Sequence, residues 1–229
     1  NKLKKFAQET RRKLLKQVNG KLEYVLNTDS SELRGKVQTV RELKKELDRL
    51  GREALVDKVA YTWFNRFVAL RYMDVRGYQP LDMNILTPQE GQVSPQILQE
   101  AMAGHIPNEL KVDHQQVMNI LDGRSSSSNP ENEAYRLLLV ASCNHLHSIF
   151  PFLFEAIDDY TELLLPDDLT SEFSIVQDVI DGMTSEDCQQ VEILGWLYQF
   201  YISEKKDEVF ASKGKVKKEE IPAATQLFT

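Results

Sequence analysis

Leu3, Ala7, Thr10, Leu14, Val18, Leu22 and Val25 recur at spacings of three and four, with Lys4, Lys5, Arg11, Arg12 and Lys16 off their stripe. A 3.6-residue period of this kind builds an amphipathic helix and is incompatible with a strand, whose side chains alternate every two residues. The period returns along most of the chain, and no convincing alternating run or repeat of fixed length interrupts it. The fold expected is therefore all-α, a multi-helix bundle with an N-terminal basic helical hairpin. With 229 residues the chain can bury a real core without disulfides. Its two cysteines, Cys143 and Cys188, form no CxxC pair, which fits a reducing interior. No basic-then-apolar leader opens the chain, and no apolar run approaches the roughly 18 residues of a membrane span. A soluble, cytoplasmic protein without membrane partners is expected.

Local signals divide the helices. The turn NTDSS places Ser30 or Ser31 as N-cap of a second run carrying Leu33, Val37, Val40, Leu43, Leu47 and Leu50. A third helix carries AYTWFNRFVALRYMDV and stops at Gly77, with Pro80 just beyond. Residues 78–93 read as loop, followed by shorter helices near 95–103 and 107–121. In RSSSSNPENE, Asn129 is the N-cap, Pro130 takes the first helical position, and Glu131 and Glu133 face the positive end of the dipole. That helix runs to Pro151, others cover roughly 152–164 and 171–181, and Thr184 to Asp187 resembles a capping box opening a long helix through ILGWLYQFYISE. Two segments, VAYTWFNRFVAL (59–70) and ILGWLYQFY (193–201), are apolar nearly all round and belong at a bundle's centre, which predicts burial of Trp63 and Trp196. Arg66 and Arg71 read as snorkelling cations or partners of acids from the second half; a surface that stacks bases is the alternative.

Charge is segregated along the chain. Residues 1–76 hold 19 Lys and Arg against 10 Asp and Glu, a net of +9, and residues 77–200 hold 3 against 20, a net of −17. The last 29 residues carry +1. Such asymmetry points to a basic element aimed at a polyanion or at the protein's own acidic half.

Catalytic chemistry is hard to find. In CNHLH, residues 143–147, the two histidines are two apart and diverge on a helix, while Cys143 and His147 could share a metal only with help from scattered residues such as His114 or Cys188. No recognisable zinc spacing supplies it, and no metal site is expected. No GxSxG, Walker or GxGxxG motif is present. SNPEN, 128–132, superficially matches the [DNS]PP[YF] motif of amino-methylating enzymes, but Glu131 and Asn132 stand where a proline and an aromatic are needed, so the helix-cap reading is preferred. No catalytic residue is assigned.

The segment IPAATQLFT, 221–229, carries Ile221, Leu227 and Phe228 with nothing to close a domain, and the chain starts without Met; both features read as ends cut from a longer protein. IPAATQLFT resembles the lead-in to the methyltransferase domain of PglX-type adenine-specific DNA methyltransferases, the modification enzymes of BREX phage-defence systems. KLKKFAQETRRKLL, VAYTWFNRFVALRYMDV and ILGWLYQFYISEKKDEVF resemble the same family's N-terminal region, so the resemblance covers most of the chain, with little from 80–130. The helical and charge pattern divides the chain into a basic helical hairpin over 1–50, a bundle core over 51–203 and a charged linker helix or loop over 204–221, and the resemblance makes 222–229 the start of the methyltransferase domain. That resemblance implies a bacterial parent enzyme that flips an adenine from the duplex and transfers a methyl group from S-adenosylmethionine to N6. Phe228 and Thr229 would carry a cofactor role in that parent, whose glycine loop and NPPY-like motif lie outside this chain, so the chain alone is expected to be inactive and cofactor-free. Its expected partners are double-stranded DNA, the rest of the methyltransferase chain and other BREX subunits, with Lys4, Lys5, Arg11, Arg12, Lys13 and Lys16 as candidate phosphate contacts. The alternative is a non-enzymatic helical adaptor that binds other subunits of a defence complex.

Overall fold

The structure is a computed structural model that describes residues 2–211 except 152, 153, 155, 156, 158 and 159. It is all-α: the described residues form no strand, only an isolated bridge between Pro88 and Pro95. The first helix, α1 (Lys2–Asn27), follows the predicted stripe, with Ala7, Leu14, Val18 and Leu22 fully buried. The second run is broken into α2 (Ser31–Gly35) and α3 (Val37–Leu50) at Lys36, whose φ of −116° and ψ of 35° leave the helical region. Ser30 caps α2, its hydroxyl accepting the Leu33 amide at 3.2 Å.

Next comes α4 (Arg52–Arg76), ended by Gly77 in the left-handed conformation (φ 64°), with the Tyr78 amide bonded to the Met73 carbonyl at 2.9 Å. That is the glycine stop the sequence predicts. No residue from Val59 to Leu70 is exposed, and Trp63, buried completely, donates its indole N–H to the Thr161 carbonyl at 3.0 Å. The helix lies at the bundle's centre: α1 and α3 both pack on it far more than on each other. Each arm of the expected hairpin lays its apolar stripe on α4, which has no exposed residue from Val59 to Leu70.

The remaining helices are α5 (Gln96–Met102), α6 (His114–Leu121), α7 (Pro130–Ile149), α8 (Tyr160–Leu163), α9 (Ile175–Gly182) and α10 (Glu192–Ala211). The helix expected from 107 begins only after Asp113, whose carboxylate caps α6 at the Gln116 amide at 3.0 Å. Asn129 caps α7 through the Asn132 amide at 3.2 Å, with Pro130 at the start. Of the helix expected over 152–164, Tyr160–Leu163 is helical, and much of its first part lies outside the described residues. Thr184 and Asp187 do form the reciprocal capping box, at 3.1 and 3.2 Å, but it opens a single 3-10 turn, Asp187–Gln189, and Gln190 is extended before α10 begins. α5, α6 and α7 pack together, α1 packs on α4, α9 and α10, and α3 touches α8.

α10 corrects the expected burial of Trp196. Ile193, Leu197 and Tyr201, four apart, form one buried stripe against α1 and α4, which leaves Trp196 41% exposed on the outer side beside exposed Gly195 and Gln199. The helix does have two faces. An apolar residue on the outer one hid them from a reading of periodicity.

Candidate nucleic-acid interface

The six candidate cations do not share one environment. Lys4, Lys5 and Lys16 are exposed, and Lys5 is only loosely opposed by Glu9, one turn on, at 3.8 Å. Arg11 is buried: its guanidinium donates to Asp57 at 3.2 Å, lies 3.6 Å from Glu204 and sits 5.8 Å over the Tyr201 ring. Arg12 reaches the same Glu204, with Nε donating to Oε2 at 3.3 Å and a second, closer contact from Nη2. Lys13 donates to the Phe173 carbonyl at 2.6 Å and pairs with Asp178. Within this set the middle of α1 is therefore tied to acids of α4, α9 and α10, while Lys4, Lys5 and Lys16 point to solvent. Lys16 lies on a groove of about 600 Å³ along α1 and the start of α4, whose rim mixes Arg52 with Glu53 and Asp57 over Leu15 and Val56.

Further along, Lys21 pairs with Asp167, Lys36 with Glu162 at 2.8 Å, and Arg49 with Glu46 at 2.7 Å. On α3, inside the expected basic hairpin but outside the six candidates, Arg41, Lys44 and Lys45 are exposed and none is held in an ion pair among the described residues. The missed signal was in the spacing: these cations lie opposite Leu43, Leu47 and Leu50 on an amphipathic helix.

The motifs weighed for chemistry turn out to hold the fold. Arg71 donates to the Met183 carbonyl at 3.0 Å and to the Thr87 hydroxyl at 2.7 Å, and the buried Arg66 guanidinium lies 4.9 Å over Trp63, so these arginines and rings are interior and present no stacking surface. Asn144 and His147, one turn apart in CNHLH, clamp the following segment: Asn144 exchanges two hydrogen bonds with the Ile157 backbone, at 2.9 and 2.6 Å, and the His147 Nδ1 meets the Phe154 carbonyl at 2.5 Å. Cys143 is fully buried and burial pushes its thiol up to about 12; Cys188 is shifted the same way. Among the described residues no three His, Cys, Asp or Glu side chains converge as metal ligands. In SNPEN, Asn132 holds the loop after α8, its amide donating to the Asp167 carbonyl at 2.6 Å and its oxygen accepting the Leu169 amide at 2.8 Å. Phe228 and Thr229 lie outside the described residues, and no described helix is long and apolar enough to cross a membrane.

No protein-family profile matches the chain. It is 45% identical over 187 residues to the adenine-specific methyltransferase BrxX of Escherichia coli O9:H4 (strain HS), a match covering 82% of the chain and 15% of the relative. It is 38% identical over 184 residues to the adenine-specific methyltransferase PglX of Lacticaseibacillus casei (strain Zhang), covering 76% of the chain and again 15% of the relative. The chain thus spans about 15% of the length of the curated relatives it matches. Identity at this level over roughly four-fifths of the chain bears out the family resemblance: the chain is homologous to one segment of the BrxX and PglX adenine-specific methyltransferases.

Proposed function

We propose that the chain is the N-terminal helical portion of an S-adenosylmethionine-dependent adenine-N6 DNA methyltransferase of bacterial BREX phage defence, in which it braces the catalytic domain and contacts the DNA backbone. The observation that carries this reading is the match of most of the chain to one segment of two proteins named adenine-specific methyltransferases. In the parent, the chemistry belongs to the part that follows, which flips the adenine and holds the cofactor. The helices here supply a rigid support: no residue of α4 from Val59 to Leu70 is exposed, and the ion pairs of α1 fasten it to α4, α9 and α10.

The test is methyl transfer from labelled S-adenosylmethionine to duplex DNA by the full-length parent, with N6-methyladenine identified in the digested product. A parent that methylates cytosine, or protein in place of DNA, overturns the reading. Calorimetry of the 229-residue chain with S-adenosylmethionine should show no binding, and stoichiometric tight binding would place the cofactor pocket in the wrong segment.

One feature favours the adaptor reading as a companion. Trp196, Val191 and Phe173 are exposed at 41%, 61% and 73%, and large apolar side chains of this kind are enriched where proteins meet. Loss of a co-purifying subunit on Trp196→Glu, with methyl transfer intact, would assign α10 to subunit binding.

A further inference from the structure

Resting on the proposed DNA-contacting role, the geometry points to the outer face of α2 and α3, built by Arg34, Arg41, Lys44 and Lys45, as the surface that lies along the phosphate backbone of duplex DNA.

Of the six candidates on α1, Arg11, Arg12 and Lys13 are held by Asp57, Glu204 and Asp178. A cation that already faces a carboxylate displaces few counterions when a phosphate arrives, because the acid has taken that role. On α3 the sorting runs the other way. Cations on the bundle's edge are neutralised, Lys36 by Glu162 and Arg49 by Glu46, whereas Arg41, Lys44 and Lys45 keep their charge exposed. Arg34 extends the face from α2, with its side chain 67% exposed and only a loose approach to exposed Asp29 at 3.6 Å. Acids are present too: Asp48 is exposed further along, and Glu42 accepts from Gln38 on the flank at 3.0 Å.

Spacing and side-chain type then select the partner. Arg41 and Lys45 are one helical turn apart, about 6 Å along the axis, and each strand of a duplex presents a phosphate about every 3.4 Å of the duplex axis, so a helix laid along the duplex sets both cations within reach of one strand's phosphates. The sequence of α3, VQTVRELKKELDRL, contains no aromatic ring, so the face has nothing on which an unpaired base could stack. Long flexible cations without stacking rings fit a duplex backbone, and binding would be insensitive to sequence. The shallow cleft between the end of α1 and α3, about 300 Å³ and lined by Leu26, Arg34, Val37, Arg41 and Lys44, lets the basic side chains fan out around it.

The experiment compares two charge reversals in the full-length parent, Arg41→Glu/Lys44→Glu/Lys45→Glu on α3 and Lys4→Glu/Lys5→Glu/Lys16→Glu on α1, by anisotropy with a labelled mixed-sequence duplex across a salt series. The α3 variant is expected to weaken binding by roughly one to two orders of magnitude at low salt and to flatten the slope of log K against log salt by about 0.9 per lost contact. Its melting temperature should match the parent's, and the milder Arg41→Gln/Lys44→Gln/Lys45→Gln should show the same loss in smaller measure, which separates contact from misfolding. If only the α1 variant loses affinity, the face is wrong and the DNA-contacting role survives. If neither changes the slope, both fall. If the α3 variant keeps its DNA affinity and instead releases an acidic protein subunit, the face is a protein-docking surface and the inference is overturned.

Discussion

Asp74 does more for this fold than its place in a helical repeat suggests. Its carboxylate, buried near the end of α4, accepts the amides of Ile85, Leu86 and Thr87 at 2.8 to 2.9 Å, the Thr87 hydroxyl at 2.9 Å and the Gln79 side chain at 2.7 Å. Burial pushes the carboxyl up from its usual value, and the backbone amides and Gln79 pull it back. Three amides, two of them buried, would lose their acceptor if the side chain were removed. Asp74→Ala should therefore cost about 3 to 5 kcal/mol in urea unfolding, whereas Thr87→Val, which leaves the amides satisfied but removes the hydroxyl that donates to Asp74 and accepts from Arg71 at 2.7 Å, should cost about 2 kcal/mol. A loss under 1 kcal/mol for Asp74→Ala would mean the loop does not depend on this knot. Nothing in RYMDV announces the role, since the amide partners lie 11 to 13 residues away across a loop without periodicity.

Helices meet here at points where one residue decides the approach. Gly182, at the end of α9, faces Phe6 of α1 so closely that an added Cβ would lie 2.1 Å from a ring carbon. Gly182→Ala should force Phe6 aside and destabilise the chain by about 1 to 3 kcal/mol, read as a lower urea midpoint at unchanged slope; an unchanged midpoint would show that α1 and α9 can part without loss. α4 and α10 make a second contrast. Both read as apolar all round, yet Trp63 is fully buried and Trp196 is 41% exposed. Trp63→Phe should leave a red-shifted emission that acrylamide quenches readily, and Trp196→Phe a blue-shifted emission that it barely reaches. Equal quenching of the two variants would contradict the placement of α10.

Across the whole molecule, the basic first third and the acidic remainder are partly each other's counterions. Lys13 with Asp178, Lys21 with Asp167 and Lys36 with Glu162 join segments more than 120 residues apart. Each pair is half-exposed and individually weak, worth up to about 1 kcal/mol. Lys13→Glu/Lys21→Glu also sets like charges together, so differential scanning calorimetry should show Tm lower by roughly 3 to 8 °C, with the gap narrowing in high salt. The Arg41, Lys44 and Lys45 reversals should leave Tm within about 1 °C, as expected of surface changes. A drop of equal size in both variants would mean that the two cation groups do not differ in their tie to the fold.

The sequence alone determined the helical class and several of the helix ends, because caps and stops are local: Ser30, Gly77 and Asn129 with Pro130 stand where their short-range chemistry demands, while the Thr184 and Asp187 box forms but opens only a 3-10 turn. It also carried the family, in segments spread over most of the chain. What only the tertiary structure decided is which side of each helix meets another. Periodicity reports how many apolar residues a helix has, whereas burial depends on the neighbours that arrive, so α4 became the centre and α10, of similar composition, became an outer wall. The same limit governed the cations. Arg11 and Lys16 are alike in the sequence, and the carboxylates that separate them come from Asp57 and Glu204, as far as 193 residues away in the case of Glu204.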